Sequence, residues 1–316
     1  MGHEQHTVTV FAPVLYLTVT VESTSSSDDE VHIHPGGQGF WIARMLKHLD
    51  ERPLLCGPLG GESGRVFRGL LSQFGMDVSA IDVAHSSPTI VQDRRSGQRV
   101  IVAEAPSVSL ARHEIDDVYG RFLDRALASA VCVITGQSNP IFPVDIYRRM
   151  GHDLESAEVE VVADLHGPEL RAFLEGGPID VLKVSDEDLT KDGLLPSPEA
   201  SETRALDAIA DLHEAGARAV MLSRQDRPAL ARSGDDVYVA KPPKLHPADD
   251  RGAGDSMTAG LTAGLRRGLD FHDIIRLGCA AGAANVTRHG LGSAEEGLIS
   301  ELMERVEVTQ LSGATV

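Results

Sequence analysis

Short apolar runs alternate with segments whose apolar side chains recur every three to four positions, and this rhythm restricts the chain more than any other feature. Residues 131–135, 159–163, 181–184 and 219–223 read as strands, and 113–128, 144–154, 168–174 and 200–215 read as amphipathic helices between them. A strand that is apolar throughout must be covered on both faces, and a helical crossover makes successive strands parallel. The expected fold class is α/β: a mostly parallel central sheet between two helical layers. No internal repeat or long linker divides the 316 residues, so a single domain over 1–316 is expected.

Two stretches break the alternation. Residues 7–22 and 31–34 read as strands separated by the polar tract 23–30, a solvated loop. Residues 88–93 and 99–103 are two more, joined by a turn at Arg95-Ser96-Gly97-Gln98. Without helices between them they suggest a small appended sheet, from about 12–35 and 88–104, or an antiparallel edge of the main one. From Ser256 onward the pattern is nearly all helix, including an Ala/Gly-rich segment at 273–288.

Charge narrows the partners. With 29 basic and 47 acidic side chains the net charge is −18, which argues against nucleic acid or an anionic membrane as partner. No apolar run is long enough to span a bilayer. Cys56, Cys132 and Cys279 lie among apolar or small neighbours and read as reduced core residues of a cytoplasmic protein. His32 and His34 share one face of a strand, but nothing nearby completes a metal-ligand set.

Gly252-Ala253-Gly254-Asp255 carries the chemistry. Small residues let the backbone turn tightly, and an apolar helical pattern runs from Ser256 to Leu265. Such a turn aims backbone N–H groups and the positive end of the helix dipole at one point, and Asp255 stands at its mouth. An anion hole beside a carboxylate suits phosphoryl transfer to an alcohol, since one stabilises charge while the other takes the hydroxyl proton. Gly-x-Gly turns before helices are also common without any such role.

The longer string resembles the second signature of the ribokinase/PfkB family of sugar kinases, whose Gly-Ala-Gly-Asp forms the anion hole and supplies the catalytic base. The resemblance implies a ribokinase-like three-layer α/β/α sandwich, with the small sheet as a lid that covers the sugar and forms a homodimer contact. It gives Asp255 the base role and Gly252, Ala253 and Gly254 the anion hole, with Arg251 next to the phosphate. The family's usual Asp-Thr-Thr or Asn-Thr-Val lead-in is replaced by Asp249-Asp250-Arg251, which weakens the basis for a monovalent-cation site.

Gly36-Gly37-Gln38-Gly39-Phe40-Trp41-Ile42-Ala43 resembles the first signature, Gly-Gly-Lys-Gly-x-Asn-x-Ala, with Leu59-Gly60-Gly61-Glu62-Ser63-Gly64 downstream. By itself it also reads as a turn and helix cap. The resemblance implies substrate contacts at Gly36, Gly37, Gln38, Gly39 and Trp41, and at Gly136 in Thr135-Gly136-Gln137-Ser138-Asn139-Pro140-Ile141. Within the family the chain is most similar to the 1-phosphofructokinase and tagatose-6-phosphate kinase branch. It departs from that branch at the sugar site: Leu17 replaces an aspartate, Gln38 a lysine and Trp41 an asparagine. A neutral amide cannot supply the lysine's charge to a substrate phosphate.

On the nucleotide side the family's Lys-Pro-Asn-x-x-Glu corresponds to Lys183-Val184-Ser185-Asp186-Glu187-Asp188. Lys183, Ser185 and Asp188 are thereby implied in ATP binding, with Asp188 holding Mg2+ through water. Ser185 followed by three acids is equally a helix N-cap. Ser223 and Arg224 open a loop that has lost both family glycines, and there Arg224 and Arg227 either compensate by charge or are solvated. Asn285 lies in a helix that resembles the border of the adenine pocket, or simply packs. The expected function is ATP-dependent phosphorylation of a sugar or sugar-phosphate hydroxyl. A weakly active or inactive binding protein, or a kinase for a nucleoside-like alcohol, are the alternatives.

Overall fold

The alternation becomes one large sheet and one small one. The structure is a computed structural model that describes residues 6–23, 28–137, 139–243, 245, 252–286, 292, 294 and 296–311. Along the chain, β1 (Val8–Phe11), β2 (Tyr16–Ser23) and β3 (Asp29–Gly36) precede α1 (Gln38–His48), β4 (Pro53–Gly60), α2 (Gly61–Leu71) and β5 (Asp77–Val83). Then come β6 (Thr89–Asp93), β7 (Val100–Ala105), α3 (Arg112–Ala126), β8 (Val131–Thr135), α4 (Asp145–Ser156) and β9 (Glu160–Asp164). They are followed by α5 (Gly167–Gly176), β10 (Val181–Ser185), α6 (Asp186–Lys191), α7 (Glu202–Glu214) and β11 (Ala219–Ser223). The last elements are β12 (Ala229–Ser233), β13 (Asp236–Lys241), α8 (Ala253–Arg266), α9 (Phe271–Val286), α10 (Glu296–Arg305) and β14 (Glu307–Gln310).

The large sheet has the order β14-β13-β12-β11-β10-β9-β8-β1-β4-β5. From β11 to β5 every pairing is parallel, and β12, β13 and β14 close one edge antiparallel. Alternate residues of the parallel strands enter two separate cores. Val8, Val10, Val131, Val133, Val162 and Met221 join one with α1, α8, α9 and α10. Phe11, Cys132, Ile134, Val161, Leu182 and Val220 join the other with α3, α4, α5 and α7. These are the two helical layers that an apolar parallel sheet requires, so the α/β sandwich expected from the alternation is what forms.

Two expectations need correction, at residues 7–22 and in the polar tract 23–30. Residues 7–22 are two strands in different sheets: β1 lies in the large sheet and β2 in the small one, because Pro13 between them has no N–H to continue a ladder. Of the two readings of the short strands the appended sheet is the one that forms: ordered β3-β2-β6-β7, it is separate from the main sheet. It is also mixed, since β2 runs parallel to β6. Among the described residues the chain beyond Ser256 is nearly all helix, as expected, with β14 the exception that returns to pair with β13. Asp29 and Glu30 belong to β3, and residues 24–27 of the polar tract lie outside the described residues.

Candidate active site

The strand order reverses at β1, with β4 and β5 on one side and β8 to β11 on the other, and ligands of open α/β sheets bind outside the carboxyl ends at such a point. Residues following β1, β8, β9, β10 and β11 therefore converge on one edge. The turn into α8 shares it, because α8 packs across β8, β9 and β10. Gly252 adopts a left-handed conformation, φ 74°, as the N-cap, and the Ser256 N–H donates to its carbonyl at 2.9 Å. The N–H groups of Ala253, Gly254 and Asp255 thus precede the first helical hydrogen bond and remain available to an anion. Arg251, with Asp249 and Asp250, lies outside the described residues.

Lys183 on β10 is only 6% exposed, and its ammonium stands directly against this turn. A methyl group added at Gly254 would lie 2.9 Å from Lys183 Nζ, so glycine is what lets the cation reach the anion hole. Asp164, at the end of β9, lies 3.4 Å from Lys183 Nζ and accepts a hydrogen bond from Thr258 Oγ1 at 2.7 Å. Burial would lower the proton affinity of Lys183, but Asp164, Asp188 and Asp255 together outweigh it and keep the ammonium charged. Asp255 is half-buried. Burial, helped by the charge of Asp164 and opposed by Lys183, pushes its carboxyl up to about 7. A carboxylate with that proton affinity is suited to general-base work near neutral pH.

Ser185 and Asp188 form a capping box at the start of α6. Ser185 Oγ accepts from the Asp188 N–H at 3.1 Å, while Asp188 Oδ2 accepts from Ser185 N–H and Oγ–H at 3.1 and 2.6 Å. Burial raises the Asp188 carboxyl, but the Ser185 hydroxyl, Lys183 and His166 outweigh it and hold the group below its ordinary value. The other oxygen, Oδ1, faces Lys191 and His166 at 3.8 and 3.9 Å and is not tied by a hydrogen bond to a described residue. One partly exposed carboxylate oxygen fits the water-mediated, few-carboxylate binding that Mg2+ favours, and does not fit an all-protein cage.

The other expected nucleotide residues have defined partners. Ser223 Oγ donates to the Val184 carbonyl at 3.3 Å. Arg224 is buried and reaches the Ala200 carbonyl and Glu202. Arg227 pairs with buried Asp186 at 2.9 Å and donates to the carbonyls of Ala200 and Pro198. Both guanidiniums therefore hold the loop before α7, a third occupation besides the solvated and phosphate-facing ones. Asn285 is buried near the end of α9, where its Oδ1 accepts from the Gly292 N–H at 2.8 Å.

On the acceptor side the glycines allow backbone contact. A methyl group at Gly36 would lie 2.5 Å from the Tyr16 ring, and one at Gly39 would lie 2.5 Å from Ala12 Cβ. Gly37, φ 123°, is the N-cap of α1, and its carbonyl accepts from the Trp41 N–H at 3.0 Å. Gln38 is half-buried in the first turn. Trp41 is half-buried, edge-on to Phe40 with ring centroids 4.7 Å apart and the Arg44 guanidinium 6.0 Å from its own ring. Leu17 is buried in β2. Gly136 follows β8, and beside it Gln137 Oε1 accepts from the N–H groups of Ile141 and Phe142, shaping the loop. Ser138 lies outside the described residues.

The structure thus brings Lys183, Gly254 and Asp255 together, with Ser185 and Asp188 on the same strand edge. It adds Asp164, Thr258 and His166, which the sequence reading missed. An acid ending an apolar parallel strand was the available signal for Asp164, because that is the edge where ligands bind.

A mostly parallel three-layer sandwich with an anion-ready helix start beside a carboxylate defines an α/β enzyme of the phosphotransfer type. The chain belongs to the PfkB family of carbohydrate kinases: the model of that family, described as pfkB family carbohydrate kinase, matches residues 7–297. It is similar to the 1-phosphofructokinase of Bacillus subtilis, with 26% identity over 315 residues, 97% of this chain and 99% of that protein. It is also similar to the ATP-dependent 6-phosphofructokinase isozyme 2 of Mycobacterium tuberculosis, with 28% identity over 85% of this chain and 79% of the other. The crystal structure of Escherichia coli phosphofructokinase-2 in complex with potassium superposes with a TM-score of 0.83 at 20% identity, covering 95% of this chain and 99% of that one.

Proposed function

We propose that this carbohydrate kinase transfers the terminal phosphoryl group of ATP to a hydroxyl of a sugar phosphate, with Asp255 as general base. The observation that carries the reading is the contact of the Lys183 ammonium with Gly254, one residue from Asp255. Asp255 takes the proton of the acceptor hydroxyl as its oxygen attacks phosphorus. The N–H groups of Ala253, Gly254 and Asp255 and the Lys183 ammonium stabilise the negative charge on the moving group. Gly36, Gly37 and Gly39, with Gln38, Trp41 and Gly136, bound the acceptor, and Ser185, Ser223 and Asn285 bound the nucleotide side, while Arg224 and Arg227 hold the loop before α7. Arg251 would add charge next to the phosphate. Asp188 would hold Mg2+ through water, and that ion, when bound, neutralises phosphate charge.

The same proposal takes the chain as one working domain with the small sheet as its lid, and a homodimer through that lid. Exposed Val31 and Ile33 on β3 and Val100, Ile101 and Val102 on β7 support it. A cytoplasmic location is supported by the three buried free cysteines. No helix among the described residues is long and apolar enough to cross a membrane. The test is a panel of sugars and sugar phosphates with ATP and Mg2+, run on wild type and Asp255→Asn. Turnover of a sugar phosphate that Asp255→Asn lowers ~10²–10⁴-fold supports the reading, and undiminished turnover by the variant overturns it.

A further inference from the structure

Among the described residues the Asp164 carboxylate has two partners, and both adjoin the turn into α8. Thr258, whose hydroxyl it accepts at 2.7 Å, lies one helical turn beyond Gly254 and Asp255 and so shares their face of α8. Lys183, 3.4 Å away, is the cation that stands against Gly254. Asp164 is itself 6% exposed, so its charge is neither solvated nor screened by water.

We propose that Asp164 is the positioning residue of the phosphoryl-transfer site: it ties the first turns of α8 to the ends of β9 and β10 and holds the Lys183 ammonium at the anion hole. The inference rests on Asp255 being the base. A lysine head group on a flexible four-carbon stem has no directional geometry of its own, so its paired carboxylate decides where it stands. Without that partner Asp188 and Asp255 still keep the ammonium charged, but it loses the carboxylate 3.4 Å away that fixes its place. The hydrogen bond to Thr258 does the corresponding work for the helix, because Thr258 Oγ1 also lies 3.1 Å from the Gly254 carbonyl. One carboxylate thus sets both the charge and the backbone that face the moving phosphoryl group.

A second consequence concerns the base. Among the described residues the charged groups that face Asp255 are Asp164 from β9, which makes it hold its proton more tightly, and Lys183 from β10, which does the opposite. No charge from α1, α9 or β8 acts on it among the described residues. Removing the Asp164 charge leaves Lys183 as the only one of the pair, so the base becomes weaker.

The test compares Asp164→Asn, Thr258→Val and Thr258→Ser by the pH profile of kcat/KM, by kcat and by the KM of the acceptor. Asp164→Asn is expected to lower kcat ~10–100-fold with little change in KM, and to move the acid limb from about 7 to lower pH. Thr258→Val is expected to lower kcat ~10-fold, while Thr258→Ser restores it by returning the hydroxyl. Wild-type kcat and an unmoved acid limb in Asp164→Asn overturn the proposal, as does a Thr258→Ser variant no better than Thr258→Val. The threonine pair decides the matter if Asp164→Asn does not fold. An inactive Asp255→Asn beside a wild-type Asp164→Asn sinks this inference alone. An active Asp255→Asn sinks the base assignment on which it rests.

Discussion

Asp255→Asn probes the electrostatics of the site without any substrate. Burial and Asp164, against Lys183, lift this carboxyl from 3.8 to about 7. An acid that holds its proton more tightly folded than unfolded costs nothing below its unfolded range, where it is protonated in both states. Above that range the unfolded chain ionises first, so the fold loses about 1.4 kcal/mol per pH unit until the folded group ionises too. The penalty therefore grows between about pH 4 and pH 7 and levels off near ~4 kcal/mol. Asparagine has nearly the same size and no charge, so it does not carry the penalty. Relative to wild type, Asp255→Asn should gain about 2–3 kcal/mol between about pH 5 and about pH 8.5. Urea unfolding of both proteins at constant ionic strength measures the difference. A difference that stays flat across this range, or reverses, refutes the account of a desolvated base. A difference that grows with pH as expected makes the base a site at which stability is given up for reactivity.

Other substitutions separate chemistry from packing. Gly254→Ala places a methyl group 2.9 Å from Lys183 Nζ, which must withdraw by several tenths of an ångström. Steady-state kinetics should show kcat down ~10²-fold, with a melting temperature close to wild type because alanine favours the helix. Arg227→Ala strips the partner from buried Asp186 and should destabilise by about 3 kcal/mol in denaturant unfolding. Gly39→Ala would press its methyl group to 2.5 Å from Ala12 Cβ, separating α1 from the end of β1. It should cost about 1–3 kcal/mol by the same measurement and raise the acceptor KM.

What the sequence made legible follows from how local each constraint is. Gly252-Ala253-Gly254-Asp255 was readable because a left-handed glycine, an open helix start and a carboxylate all fall within four residues. The capping box of Ser185 and Asp188 was readable for the same reason, since its members are three residues apart. Asp164 and Thr258 are separated by 94 positions, and no periodicity announces that they will meet. Arg224 and Arg227 could not be placed either, because their partners come from the loop before α7 and, for Arg227, also from Asp186 at the start of α6. The strands β12 to β14 escaped notice because they are short and their apolar residues do not form a long run. At residues 7–22 one apolar stretch serves two sheets, and only Pro13 marks the change.

The crossing of α8 with α9 limits how this molecule can move. A methyl group at Gly260 would lie 2.6 Å from the Leu277 carbonyl oxygen, and one at Gly278 would lie 2.8 Å from Leu261 Cδ2. Backbones that close have no side-chain layer to slide over, so the two helices must travel as one body. The direction in which the N-terminus of α8 points is therefore set by a contact two turns away from it. Closure around an acceptor cannot be a swing of that helix. Any displacement of the turn at Gly252 has to take α9 with it.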